Sequence, residues 1–160
     1  KKPVATAQLL GSGAILREVL AAAQFLEQDW KIAADVWSVT SFTELRREAM
    51  DCERWNMLHP GKKKRIPYIS QQLAKTKGPV VAATDYMRTY ADQVRNYIDR
   101  TYIVLGTDGF GRSDMRAALR HFFEVNRYYV VVAALMALAE EGEIDALINA
   151  KGDGPCNASP

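Results

Sequence analysis

Two patterns of apolar residues alternate along the chain. Short apolar runs bounded by turn residues predict buried strands, and apolar residues that recur every three or four positions predict helices. The predicted strands occupy residues 5–10, 34–39, 79–84 and 101–105. The predicted helices occupy residues 14–28, 42–56, 67–74, 86–98 and 127–141, with one more beginning after residue 114.

Polar side chains suit the starts of three helices, because they accept hydrogen bonds from the free backbone N–H groups there. The candidate caps are Ser41 or Thr43, Ser113 or Asp114, and Asn126. Strands that alternate with helices predict an α/β fold with a parallel sheet covered on both faces. Right-handed crossovers then bring the loops that follow the strands together at the carboxyl edge of the sheet.

Composition narrows the class of protein. The chain has 160 residues, of which 48% are hydrophobic and 25% charged, as in one ordinary globular domain. Its net charge of +2 argues against nucleic-acid binding, and no apolar run reaches the roughly 20 residues that span a membrane. Cys52 and Cys156 lack metal-site spacing and suit a reducing compartment. The absence of an initial methionine is what a cut between domains would produce.

Several motifs fall short of the chemistry that they suggest. Gly11-Ser12-Gly13 follows a strand, but a dinucleotide fingerprint needs a third glycine where Leu16 stands. The GDG triplet at residues 152–154 resembles a magnesium motif, but its asparagine follows too closely. Cys52 and His59 lie two helical turns apart, roughly 10 Å, which is too far for a thiolate–imidazole pair. We therefore predict a buried Cys52 and a capping or interface role for His59.

The glycine-rich loop LGTDGFGRSD, residues 105–114, joins the fourth strand to a helix. Such a loop can hold a phosphate, but this one has Arg112-Ser113 where a phosphate loop has lysine followed by serine or threonine. Phosphate binding stays open as an alternative. We expect Asp108 and Arg112 to brace the turn and Phe110 to be packed.

The loop and its surroundings resemble the C-terminal domain of transketolases. The loop fits the pattern G-x-D-x-F-G-x-S, and residues 8–19 (QLLGSGAILREV), 83–87 (ATDYM) and 128–135 (YYVVVAAL) fit as well. Residues 36–60 (VWSVTSFTELRREAMDCERWNMLHP) and 65–69 (RIPYI) are similar to the homodimeric bacterial pyruvate dehydrogenases. The basic residues 61–64 depart from what this family leads us to expect.

The resemblance implies a three-layer α/β sandwich over residues 1–145, with a mostly parallel five-stranded sheet and one antiparallel edge strand. Residues 146–160 are expected to form an irregular tail. The resemblance also implies a full-length enzyme of the bacterial cytoplasm that decarboxylates pyruvate with thiamine diphosphate and magnesium. That enzyme would then acetylate the lipoyl group of dihydrolipoyl acetyltransferase. The domains that bind the cofactor are absent from this chain, so no catalytic, cofactor-binding or metal-binding residue is expected in it.

The role expected of this domain is to form part of a homodimer interface and the outer wall of the substrate approach. The residues expected at such contacts, or at a bound anion, are Asp108, Phe110, Arg112, Ser113 and His59, with loop 41–44 as a second candidate. Two alternatives stay open. The basic run from Lys62 to Arg65, which is otherwise a solvated loop, suggests a docking module for the acetyltransferase. The loop at residues 106–113 suggests a regulatory anion site.

Overall fold

The computed structural model describes residues 3–145. Its strands are β1 (Thr6–Gly11), β2 (Ala33–Ser38), β3 (Val80–Ala83) and β4 (Tyr102–Leu105). Its helices are α1 (Leu16–Trp30), α2 (Phe42–Leu58), α3 (Tyr68–Leu73), α4 (Arg88–Asp92), α5 (Arg116–Phe122) and α6 (Arg127–Glu140). The tail expected at residues 146–160, with Cys156 and the 152–154 triplet, lies outside the described residues.

The strands form a parallel sheet in the order β2-β1-β3-β4. Leu9 in β1 stands opposite Val36 in β2 and Val81 in β3, so β1 pairs with a parallel neighbour on each side. This arrangement confirms the predicted α/β class with a parallel sheet. The described residues contain four strands rather than five, and every pairing among them is parallel, so they include no antiparallel edge strand.

Successive residues of β1 point to opposite faces of the sheet, which divides the core into two layers. Leu9 belongs to the layer between the sheet and helices α1 and α6, together with Val19 and Leu138. Leu10 belongs to the other layer, which helices α2, α3 and α4 cover. Both leucines are buried, and the molecule therefore has the predicted three layers.

Two of the predicted caps hold their helices. The Ser41 hydroxyl accepts a hydrogen bond from the Glu44 backbone N–H at 3.1 Å, at the start of α2. The Asn126 side chain accepts from the N–H groups of Tyr128 and Tyr129 at the start of α6. Both helices begin where the local sequence predicts, because a cap needs only a neighbouring backbone group.

The long helix predicted at residues 86–98 is wrong. The chain forms the five-residue helix α4 and then a 3-10 turn, Arg95–Tyr97. Tyr102 in β4 holds this path, because its buried hydroxyl donates to the Ala91 carbonyl at 2.7 Å. Its own carbonyl accepts from the Arg95 guanidinium at 2.9 Å. These contacts join residues 11 and 7 positions apart. The spacing of apolar residues along a helix therefore does not predict them.

The last two helices are joined by a corner that contains Glu124. Helix α5 begins at Arg116 rather than directly after Ser113 or Asp114, and Asp114 instead accepts from the neighbouring Met115 N–H at 2.6 Å. Glu124 has a left-handed backbone, with φ of 56°, between α5 and α6. The segment Arg116–Glu140 passes a test of length and apolarity for crossing a membrane. This corner divides it, and α6 is a buried core helix.

Candidate interface at the carboxyl edge of the sheet

Hydrogen bonds join the loops that follow β3 and β4. The Thr107 N–H donates to the Tyr86 carbonyl at 2.9 Å, and the Thr107 hydroxyl donates to the Asp85 carbonyl at 2.7 Å. Asp108 accepts from the Arg88 N–H at 2.9 Å and forms an ion pair with the Arg88 guanidinium at 3.2 Å. Asp108 therefore braces the loop, as the sequence predicts, and does so through Arg88.

Glycine is required where these two loops touch. A Cβ atom on Gly106 would lie 2.8 Å from both the Arg88 nitrogen and the Tyr86 carbonyl oxygen. Backbone atoms cannot move aside as a flexible side chain can, so any larger residue would push the loops apart. The glycine content of the loop thus has a packing cause that is unrelated to phosphate.

Large apolar side chains are exposed on this edge. Phe110 is 96% exposed and Met115 is 79% exposed, so Phe110 does not pack against the rest of this chain. Tyr86 and Met87 on the joined loop and Phe122 in α5 are also exposed. We call these five residues the carboxyl-edge patch. Their exposure makes these residues the candidates for an interface.

Arg112 and Ser113 contribute less than the sequence suggested. The Arg112 guanidinium lies over the Phe122 ring, 3.9 Å from its centroid. Ser113 is exposed and does not cap α5. A cavity of about 390 Å³ beside them is lined by Arg112, Arg116 and the carboxylate-bearing Asp85. An anion there would meet arginine side chains and an aspartate together.

The negative charge of Asp85 opposes phosphate binding at the turn after β1. Gly13 has a left-handed backbone, with φ of 57°, and a Cβ there would lie 2.8 Å from a carboxylate oxygen of Asp85. The Ser12 hydroxyl donates to the Thr84 hydroxyl at 2.8 Å. Asp85 thus lies at the start of the helical segment leading into α1, where a diphosphate would otherwise bind. The dinucleotide interpretation remains disfavoured on this second ground.

Glu18 is the residue that pattern reasoning missed. It lies on the apolar face of α1, is 5% exposed, and bonds to the Arg120 and Arg127 guanidinium groups at 2.9 Å each. These bonds, Arg127 foremost, lower the pKa of the Glu18 carboxyl, and the carboxylate raises the pKa of Arg127. One signal was available: a glutamate stands at helical spacing from Ile15 and Ala22. The network fixes the corner after α5, and with it the position of the patch.

The second candidate loop, residues 41–44, borders an open cavity beside the end of β2. That cavity of about 610 Å³ has apolar walls at Trp37, Leu45 and Ile69. Glu44 lies at its rim, in an exposed ion pair with Arg47. Loop 41–44 therefore flanks the same carboxyl edge at β2.

His59 and Cys52 lie elsewhere. His59 ends α2 and stacks on Trp55 with ring centroids 4.4 Å apart. Cys52 is buried as predicted, and its thiol donates to Glu48 at 3.2 Å. Burial, followed by the Glu48 contacts, raises the pKa of this thiol, which is the behaviour of a structural cysteine. Among residues 3–145, no three His, Cys, Asp or Glu side chains are grouped to hold a metal ion.

Comparison with known proteins gives the geometry a context. Residues 1–126 match the family model of the Transketolase-like TK C-terminal domain. The Pyruvate dehydrogenase E1 component of Escherichia coli K12 is 60% identical over 139 residues, which are 86% of this chain and 15% of the relative. The corresponding protein of Pseudomonas aeruginosa is 57% identical over 145 residues, 90% of this chain and 16% of the relative.

A solved structure shares the fold. It is described as a split gene transketolase, inactive beta4 tetramer, and matches with a TM-score of 0.57 at 17% identity. The match covers 84% of this chain and 39% of the other. The chain spans about 15% of the length of the curated relatives that it matches.

Proposed function

Because the chain belongs to the Transketolase-like TK C-terminal domain family, we propose that it works as the C-terminal domain of a pyruvate dehydrogenase E1 component. The observation that carries this proposal is the 60% identity to the Escherichia coli E1 component over 139 residues. The full-length protein would decarboxylate pyruvate oxidatively in the bacterial cytoplasm. It would pass the acetyl group to the lipoyl group of dihydrolipoyl acetyltransferase.

Thiamine diphosphate and magnesium would supply the chemistry of that enzyme, but the described residues do not fit either group. No group of three metal-ligating side chains exists among them. The turn at Gly13, which follows a strand as a diphosphate site does, has the Asp85 carboxylate against it. We therefore assign cofactor and metal binding to other domains, and no step of catalysis to the residues described.

The domain's own contribution, in this proposal, is to a homodimer interface and the outer wall of the substrate approach. The carboxyl-edge patch supports it, because Phe110 and Met115 expose apolar surface on a loop that Asp108 and Gly106 hold in place. A fixed apolar surface loses little conformational entropy when it meets a partner. Loop 41–44 would extend the contact at the far side of the same edge.

A chimera tests the assignment. The matching region of the Escherichia coli E1 component is replaced by this chain, and pyruvate-dependent activity and sedimentation are measured beside the parent enzyme. We expect an active chimera with the parent's oligomeric state. A folded chimera without activity, in which the remaining domains still bind thiamine diphosphate, would contradict the proposal.

Calorimetry on the chain alone tests the assignment of cofactor binding. Thiamine diphosphate is titrated into the chain with and without magnesium, and negligible heat is expected in both. Binding in the micromolar range that depends on magnesium would overturn this part of the proposal.

A second function is favoured by the basic loop. Lys62, Lys63 and Lys64 are exposed at the end of α2, away from the carboxyl edge, and would dock the acetyltransferase. A pull-down of the acetyltransferase by the chain is expected to fail when these lysines are reversed to glutamate. Retention of the acetyltransferase by the reversed variant would remove this function.

A further inference from the structure

The basic loop is held at both ends rather than hanging free. The Asn56 side chain donates to the Arg65 carbonyl at 2.9 Å and accepts from the Arg65 N–H at 2.8 Å. The Lys62 N–H donates to the His59 carbonyl at 3.0 Å, which closes a turn at the end of α2. The three lysines therefore project from a segment whose path is already fixed.

Trp55 organises the positive charge beside this loop. Its ring stacks on His59 at 4.4 Å between centroids, and the Arg65 guanidinium lies 4.3 Å from its centroid. A guanidinium over an indole ring is held by a cation–π interaction and keeps its hydrogen-bond donors free at its edge. Arg65 is thus oriented before any partner arrives.

Exposed apolar side chains flank the basic loop along the chain. Met57 and Leu58 at the end of α2, and Ile66 and Tyr68 after the loop, are all exposed. A solvated loop would account for the exposed lysines. It does not account for the exposed apolar side chains beside them. Apolar anchors with a charged rim are the usual composition of a protein-binding surface.

We propose that this surface, formed by Trp55, Met57, Lys62, Lys63, Lys64, Arg65 and Ile66, docks an acidic peptide segment that carries apolar side chains. Carboxylates of the peptide would pair with the lysines and with the fork of Arg65. Its apolar side chains would cover Met57 and Ile66. The fixed loop reduces the ordering cost of binding, since one partner is already in place.

The charges around the loop favour a peptide over a nucleic acid. Asp51 and Glu53 are exposed on the last turns of α2, and the whole chain carries a net charge of only +2. A phosphate backbone would need a longer basic track than the four cations of residues 62–65 provide. A short acidic peptide needs only the cations present.

This inference deepens the second function proposed above, since it names the chemistry of the segment that the docking surface would recognise. Its test needs no acetyltransferase. If the peptide binds and the acetyltransferase does not, the docking function fails and the inference stands. If the acetyltransferase binds and the peptide does not, the inference fails alone.

The probe is a fluorescent synthetic peptide in which Glu and Asp alternate with Leu and Phe. Its binding to the chain is measured by fluorescence anisotropy. The test variant is K62E/K63E, and the matched control is K75E/K77E, which changes the net charge equally at exposed lysines outside the surface. We expect K62E/K63E to weaken binding about tenfold, from the loss of two exposed pairs and added repulsion. K75E/K77E is expected to change it little, and added salt to weaken it.

Further arms separate the possible ligands. M57S and I66S are each expected to weaken peptide binding severalfold, and a peptide with Gln and Asn in place of its acids is expected to bind poorly. The proposal is overturned if the peptide does not bind, if both double variants weaken it equally, or if the neutral peptide binds as well. Tighter, lysine-dependent binding of single-stranded DNA or of phosphatidylserine vesicles would also overturn it.

Discussion

Glu18 shows how much a single buried charge can organise. Its carboxylate accepts from the Arg120 and Arg127 side chains and, at 3.1 Å, from the Arg127 backbone N–H. The bonds cross more than a hundred residues of sequence and tie the corner after α5 to α1. A buried carboxylate without these partners would be costly, so each group here depends on the others.

Replacement of Glu18 by glutamine is expected to destabilise the chain by about 2 kcal/mol, because two guanidinium groups lose their shared carboxylate in a largely buried site. Urea unfolding followed by circular dichroism measures the change. E44Q is the control, since it removes the same kind of partner from the exposed Arg47, and a smaller effect is expected. Equal losses in the two variants would contradict the importance of burial.

The same residue predicts a dependence on pH. The folded-state pKa of Glu18 is lowered from its ordinary value of 4.5, so the folded protein binds this proton less readily than the unfolded chain. Its stabilisation is therefore full above the unfolded pKa and is lost as the pH falls through the lower folded pKa. Thermal unfolding from pH 6 to pH 3 is expected to show a shallower acid loss in E18Q than in the parent. Parallel curves would refute this assignment.

Among the elements, β3 begins where the backbone at Gly78 lies close against β1. Gly78 precedes the strand with a φ of +81°, and a Cβ there would lie 1.7 Å from the Thr6 carbonyl oxygen. The Arg100 guanidinium also donates to the Gly78 carbonyl at 3.2 Å. Both the backbone conformation and the approach of β1 exclude a side chain at this position.

We expect G78A to destabilise the chain by about 3 kcal/mol, through left-handed strain and a clash with backbone. G61A is the matched control, since no atom lies within 4 Å of its added Cβ, and a change within about 0.5 kcal/mol is expected. Chemical denaturation compares the two variants. A G78A protein as stable as G61A would show that the entry to β3 relaxes freely.

For the whole molecule, the two ends of the sheet differ in character. The carboxyl edge presents Phe110 and Met115 on joined loops, whereas the end of α2 presents Arg65 over Trp55 and is followed by three exposed lysines. Surfaces at opposite ends can serve different partners at the same time. The proposed dimer contact and the proposed peptide-docking surface therefore do not compete for the same residues.

The carboxyl-edge patch gives a prediction for assembly. In the chimera with the Escherichia coli E1 component, F110S/M115S is expected to weaken the dimer by about 2 kcal/mol, as loss of a buried aromatic anchor does. The isolated chain should keep its stability, because both side chains are exposed in it. Sedimentation equilibrium measures the first and thermal unfolding the second. M57S is the control, since Met57 is also apolar and exposed but lies at the end of α2, and it should leave the dimer intact. A dimer of unchanged stability in F110S/M115S would contradict the proposed interface.

The sequence by itself determined the order of strands and helices, the parallel class of the sheet, the caps at Ser41 and Asn126, and the resemblance to transketolase C-terminal domains. Each of these rests on local signals, since periodicity and capping depend on residues within one or two turns. The sheet class follows because strands that alternate with helices have few right-handed arrangements.

Only the tertiary structure decided where distant groups meet. Tyr102 anchors the short α4 in place of a long helix, Glu18 pairs with two arginines, and Asp108 pairs with Arg88. Phe110 is exposed because hydrogen bonds and Gly106 fix its loop against its neighbour. These outcomes depend on which elements the fold brings together, and the pattern of residues within one element carries no record of that.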